Sequence, residues 1–153
     1  MKAVLLLLLF MVTTRLSGVA QEEYVPPPSQ TLTTLPFTMA AESVVLLKAL
    51  LVGHPDTLTF ILDTGSSGIS LDSTAAASLG LVPRPSEINI RGIAGIRKAD
   101  FVYDQRLQLN DLVVDSLNFH INNYEFLSYV YGTQIDGVIG YAGSQNLVAK
   151  DFR

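Results

Sequence analysis

The residues of this chain best placed to do chemistry are Asp63-Thr64-Gly65-Ser66-Ser67-Gly68, where one carboxylate is followed by hydroxyls and glycines at the end of the apolar run Phe60-Ile61-Leu62. A carboxylate at the edge of a core is costly unless hydrogen bonds compensate it, and Thr64, Ser66, Ser67 and the Gly65 backbone are all near enough to supply them. Taken alone, Asp63 reads as a turn residue capping its own loop. With an apolar strand leading into it and Gly65 and Gly68 letting the chain turn sharply, it has the layout of a presented acid rather than of a solvated surface Asp. Neither Ser66 nor Ser67 is expected to be a nucleophile, because Gly65-Ser66-Ser67-Gly68 does not meet the Gly-x-Ser-x-Gly pattern. His54 beside Pro55 and His120 in an alternating stretch are far apart, and there is no cysteine, so neither a metal site nor a cofactor is expected.

The elements that must hold this acid are mostly strands. Val44 to Val52 is too apolar for a surface strand, Gly53-His54-Pro55-Asp56 is a turn, and Leu58, Phe60 and Leu62 alternate with Thr57 and Thr59. Together they predict a hairpin that delivers Asp63 just past its second strand. Ile69-Ser70-Leu71 resumes a strand, and Asp72 or Ser73 caps a short helix that Gly80 ends and that Pro83 and Pro85 keep from continuing. Arg91 to Ile96 is a glycine-bounded hairpin tip, suited to a mobile lid. From Lys98 to Asn122 apolar residues alternate, with Asn110-Asp111 and Asp115-Ser116 predicting turns of an antiparallel meander. Asn122 to Gln134 is expected to be a loop anchored by Tyr124, Phe126, Tyr129 and Tyr131, before a short buried strand through Val138-Ile139-Gly140.

A chain of 153 residues suits one domain. Residues 1–20 have the basic start, apolar centre and small-residue end of a secretory signal, with Gly18 and Ala20 before the cleavage point. The apolar stretch is about half of the roughly 20 residues needed to span a bilayer, so no stable membrane anchor is expected after cleavage. The expected product is exported, periplasmic or extracellular. Without Lys2 and Arg15 it has eight basic residues against 14 acidic ones, a net charge of −6, which opposes nucleic-acid binding. Residues 21–34, with Pro26-Pro27-Pro28, predict an extended linker or arm, and the folded lobe is expected over 35–153.

Asp63-Thr64-Gly65-Ser66 after an apolar strand, then a glycine-bounded hairpin, then Asp136-Gly137-Val138-Ile139-Gly140, resembles the retropepsin-like aspartic peptidases. Within them it looks most like the single-lobed, secreted bacterial branch rather than the two-lobed pepsins. The resemblance implies a mostly β, single-lobe closed barrel with a flap hairpin and one or two short helices. It also implies a peptide or protein substrate, hydrolysed by water activated between two Asp63 carboxylates. With a single Asp-Thr-Gly in the chain, the second carboxylate would come from another copy, so a homodimer is implied. By the same resemblance, Thr64 hydrogen-bonds across the two-fold axis, Gly65 permits close approach and Ser66 orients the carboxylate. Gly92, Ile93, Ala94 and Gly95 form the flap, Val138, Ile139 and Gly140 brace the catalytic loop, and Asp136 is structural. After Gly140 the sequence departs from the family, with the small and polar Tyr141 to Asn146. Either the tail to Arg153 forms the dimer sheet or the sequence is part of a longer protease with a further domain. The competing functional expectation is a secreted dimeric or peptide-binding domain that keeps the fold without turnover.

Overall fold

Two strands that are apolar on both sides start the architecture. Val44–Leu51 (β2) pairs antiparallel with Thr57–Asp63 (β3), with Leu47 opposite Phe60 and Leu46 opposite Ile61. Leu47, Ala49, Leu51, Leu58 and Phe60 enter one core, while Leu46 and Ile61 enter a second cluster with Tyr124, Ile135 and Val138. Burial on both faces explains why the run from Val44 is too continuous for a half-exposed strand. Phe37–Ala40 (β1) pairs with the outer edge of β2 and was not anticipated from the sequence.

The computed structural model describes residues 33–66, 68–92 and 95–140, which belong to a unit beginning at Thr31. The expected signal segment, the arm up to residue 32, the flap-tip residues Ile93 and Ala94, and the tail after Gly140 lie outside the described residues. At the end of the arm, the Thr33 hydroxyl donates to the Asp111 carboxylate and Asn110 Nδ2 donates to the Thr34 carbonyl at 3.3 Å.

Ile69–Asp72 (β4) leads into the helix Ser73–Ser78 (α1), which is capped as expected: Asp72 accepts from Thr74 N at 2.8 Å and from Ala75 N at 3.3 Å. Arg84–Gly92 (β5) and Gly95–Leu109 (β6) form the flap hairpin, with Gly92 paired to Gly95 across the tip. Pro85 lies within β5, where the register breaks before Asn89; an edge strand tolerates the missing donor.

Leu112–Asn122 (β7) pairs with β6 and corrects the expected meander. Asn110 does turn the chain, but Asp115-Ser116 does not. Ser116 and Asp104 take positive φ, 57° and 56°, inside two long strands whose register shifts nearby, so these polar residues are absorbed as bulges. The expected loop after Asn122 is also corrected, since Glu125–Tyr131 (α2) is a helix closed by Gly132 at φ 62°. Of its supposed anchors, Tyr124 is buried and Tyr131 packs on the second cluster, while Phe126 and Tyr129 are 73% and 84% exposed.

Gly137–Gly140 (β8) completes the sheet, whose order is β1-β2-β3-β8-β4-β7-β6-β5. A further pairing of Leu50 with Gln108 and Leu51 with Leu107 joins β2 to β6 and closes the ring. The result is the mostly β, closed barrel with a flap hairpin and two short helices among the described residues. Inside the ring, Phe60 and Phe119 are fully buried with ring centres 6.2 Å apart.

Candidate active site

Asp63 is the last residue of β3, and its side chain is exposed at the mouth of the barrel. Its Oδ1 accepts from Gly65 N at 2.9 Å, and its carbonyl accepts from Ser66 N at 3.1 Å. The short loop is therefore wound around the carboxylate by its own backbone donors, the arrangement that local Asp and Ser chemistry favours. Thr64 and Gly65 are exposed beside it.

The loop is held by β8, which lies parallel to β3 on one side and antiparallel to β4 on the other. It thus fills the gap between the strand that enters the loop and the strand that leaves it. Ile139 pairs with Leu62, Gly140 pairs with Asp63, and Gly140 N donates to the Gly68 carbonyl at 2.8 Å. A Cβ on Gly140 would stand 2.4 Å from that carbonyl oxygen and 2.5 Å from that of Ser66; one on Gly137 would stand 2.3 Å from the Ser70 oxygen. These two glycines are required for close approach of three backbone segments. Val138, Ile139 and Gly140 are all buried.

Asp136 is brought into a different place from Asp63. Its buried carboxylate accepts from Thr59 N at 2.7 Å and from Gln134 Nε2 at 2.6 Å, and its backbone bridges Thr59 and Asp72. Thr59 precedes Asp63 by four residues on β3, which separates the two acids by about 13 Å along the strand. Asp136 ties β3 to β4 and supplies no second acid at the loop. Asp72 is similarly engaged: burial raises its pKa, but the Thr74 hydroxyl and the backbone N–H groups of Tyr124, Thr74 and Ala75 outweigh it and hold the group below its ordinary value.

A recess of about 640 Å³ opens beside the loop, between Gly65, Ser66 and Gly68 on one side and Ile88 and Ile90 of β5 on the other. Asn118, His120 and Asn122, on one face of β7, line it too, together with Asn89, Phe101 and Tyr124. His120 is half-buried, and the position of a Cβ on Gly68 would be 3.6 Å from its ring. Burial lowers the His120 pKa, the Ile69 carbonyl that accepts from the ring partly opposes this, and the Arg97 charge lowers it further. Tyr124 Oη lies 2.6 Å from Ser70 Oγ and accepts from Asn122 Nδ2 at 3.2 Å.

Sequence reasoning weighed His120 only as a metal ligand and passed over its neighbours. The signal was present: Asn118, His120 and Asn122 alternate with Leu117, Phe119 and Ile121, one polar face against one apolar face. Among the described residues no group of three or more His, Cys, Asp or Glu could hold a metal ion, and no helix is long and apolar enough to cross a membrane. Ile88, Asn89 and Ile90 of β5, the strand that pairs with β6 in the hairpin, line this recess.

Comparison with known proteins agrees with this layout. A family model described as aspartyl protease matches residues 48–142. A structure of the EIAV protease complexed with the inhibitor HBY-793 is 16% identical, covering 80% of this chain and 97% of that one, with a TM-score of 0.50. A Legionella pneumophila protein of unknown function is 15% identical over 67% of this chain and 85% of its own, with a TM-score of 0.43. No curated protein matches the chain.

Proposed function

The chain belongs to the retropepsin-like aspartyl proteases, and on that premise we propose that it is an exported aspartic endopeptidase working as a homodimer, with one Asp63 from each subunit. The observation that carries this reading is a single Asp-Thr-Gly whose carboxylate is exposed on a loop locked by β8. An acid held so firmly and left uncovered is suited to meeting its counterpart across a two-fold axis. Phe37 and Met39, exposed on the edge strand β1, offer apolar surface that a second copy would cover.

In such a pair the two carboxylates share one proton, because like charges side by side oppose double ionisation; aspartic proteases are the standard case of this effect. The ionised member takes a proton from water as the water oxygen attacks the scissile carbonyl carbon. The protonated member gives its proton to the carbonyl oxygen. Collapse of the resulting diol returns a proton to the leaving nitrogen as the C–N bond breaks. Thr64 would link the two loops, Ser66 would orient the carboxylate, and the flap at Gly92, Ile93, Ala94 and Gly95 would close over an extended peptide and exclude water.

Cleavage of a mixed peptide library by the mature protein, from acidic to neutral pH, tests the reading. Asp63→Asn is expected to lower turnover by at least about a hundredfold, with little change in stability because the side chain is exposed. Equal cleavage by both proteins would remove Asp63 from the mechanism. A proven dimer that binds peptides and cleaves none would instead be a binding module. Sedimentation is expected to show a dimer, and a monomer that cleaves peptides would overturn the two-copy site.

A further inference from the structure

Among the described residues, the polar side chains that line the recess beside the Asp63 loop have unevenly committed hydrogen-bonding groups. Asn122 is engaged at both ends: Arg97 Nη2 donates to its Oδ1 at 2.5 Å, and its Nδ2 donates to Tyr124 Oη. The Tyr124 hydroxyl is in turn shared with Ser70. Asn118 is half used, since its Oδ1 accepts from Asp104 N at 3.0 Å, at the bulge of β6. Among the described residues nothing engages its Nδ2, which therefore remains a donor. His120 lies on the same face of β7 and lines the same recess, and its neutral ring carries one N–H donor and one acceptor nitrogen.

One donor and one acceptor, two residues apart on the same face of β7, stand about 7 Å apart at their backbones. A hydroxyl or carboxamide, which both donates and accepts, satisfies the two together. The surroundings suit an aromatic body. The Phe101 and His120 rings meet edge-on at 6.2 Å and 61°, and Ile88 and Ile90 stand opposite. Among the described lining residues the side chains are uncharged, and Arg97 reaches the edge of the recess through Asn122.

We propose that this recess is the pocket that sets substrate choice, and that Asn118, His120 and Phe101 select a side chain with an apolar or aromatic body and a hydrogen-bonding tip, tyrosine being the type. The proposal rests on the peptidase reading for the chemistry, and on the recess alone for the preference. Tyrosine fills the aromatic corner, donates its hydroxyl proton to the acceptor nitrogen of His120 and accepts from Asn118 Nδ2. Phenylalanine and leucine leave both groups unpaired, which is the form of discrimination that polar sites exert most strongly.

The test is a series of capped peptides identical except for Tyr, Phe, Gln, Leu, Glu or Lys at one position, with that position scanned along the peptide. At its preferred position, the full chain is expected to favour Tyr over Phe and Leu by about tenfold or more in kcat/KM. Asn118→Leu, whose folding is checked by urea unfolding because it also removes the acceptor of Asp104 N, is expected to bring the Tyr-to-Phe ratio to about one; His120→Phe is expected to do the same. Cleavage without any such preference, or a preference that survives both substitutions, overturns the pocket while leaving the peptidase standing. Binding of the same peptides to Asp63→Asn, followed by titration calorimetry, separates the two ideas. If the parent cleaves nothing, tighter binding of the Tyr peptide still supports the pocket, and equal or undetectable binding of all six overturns it.

Discussion

The Asp63 loop and the flap hairpin face each other across the recess, and they are built in opposite ways. The loop is gripped on both sides: β8 pairs with β3 and β4, and its glycines allow backbone contacts that no Cβ would fit. The flap is gripped on one side only. Its strand β5 ends the sheet, changes register between Pro85 and Asn89, and leaves Ile88 exposed. The loop is thus fixed by many mutually dependent contacts, whereas the hairpin is built from few. Stability in this barrel is accordingly expected to be uneven, highest where β3, β8 and β4 meet.

The sharpest way to break that contrast is Gly140→Ala. The new methyl would press on the backbone oxygens of Gly68 and Ser66, neither of which is a flexible side chain. A loss of about 3 kcal/mol is expected in urea unfolding. A change near zero would mean that the loop is far looser than its pairing implies.

A smaller effect belongs to His120, under the recess between the two regions. Its folded-state pKa is lowered from 6.5, chiefly by burial, so the unfolded chain binds the proton more readily. Its contribution to stability is complete above about pH 6.5 and is lost as pH falls through that value toward the folded one. Urea midpoints are expected to decline between pH 7.5 and 5.5, and His120→Asn is expected to flatten that decline. The carboxylate of Asp72 acts lower: its stabilising effect is present above its ordinary value of 3.8 and is lost as pH falls below it, outside the histidine window. A slope unchanged by His120→Asn would remove the ring from the pH response.

The least effect is expected on the flap. Lys98 Nζ and Glu87 Oε2 are 2.5 Å apart, joining β6 to β5, with side chains 61% and 90% exposed. Lys98→Ala is expected to change global stability by no more than about 0.5 kcal/mol, because exposed ion pairs are screened by water and salt. A loss approaching that of Gly140→Ala would erase the distinction between the two regions.

Much of the loop and its hairpin is legible in the residues themselves. Leu58, Phe60 and Leu62 alternate, Gly53 to Asp56 turns, Asp72 caps, and Gly80 ends the helix, and each of these features depends on neighbours a few residues away. The long strands were less legible. Asp115-Ser116 has the composition of a turn, and only the continued pairing of β6 with β7 on both sides of Ser116 makes it a bulge. Helix α2 was hidden because its exposed Phe126 and Tyr129 imitate core anchors, while the residues that dock the segment, Tyr124, Leu127 and Tyr131, meet partners far away in sequence.

By itself the sequence determined the exposed acid, the strand that carries it, the glycine-bounded hairpin and the presence of a single Asp-Thr-Gly, since these are matters of residue type and short-range spacing. Only the tertiary structure decided that β8 lies between β3 and β4, that Asp136 is committed to Thr59, and that Asn118 and His120 open onto the same recess as Ser66. The physical reason is that alternation tells which residues share a face of a strand, whereas the neighbour a strand chooses is settled by pairing and burial across the whole barrel.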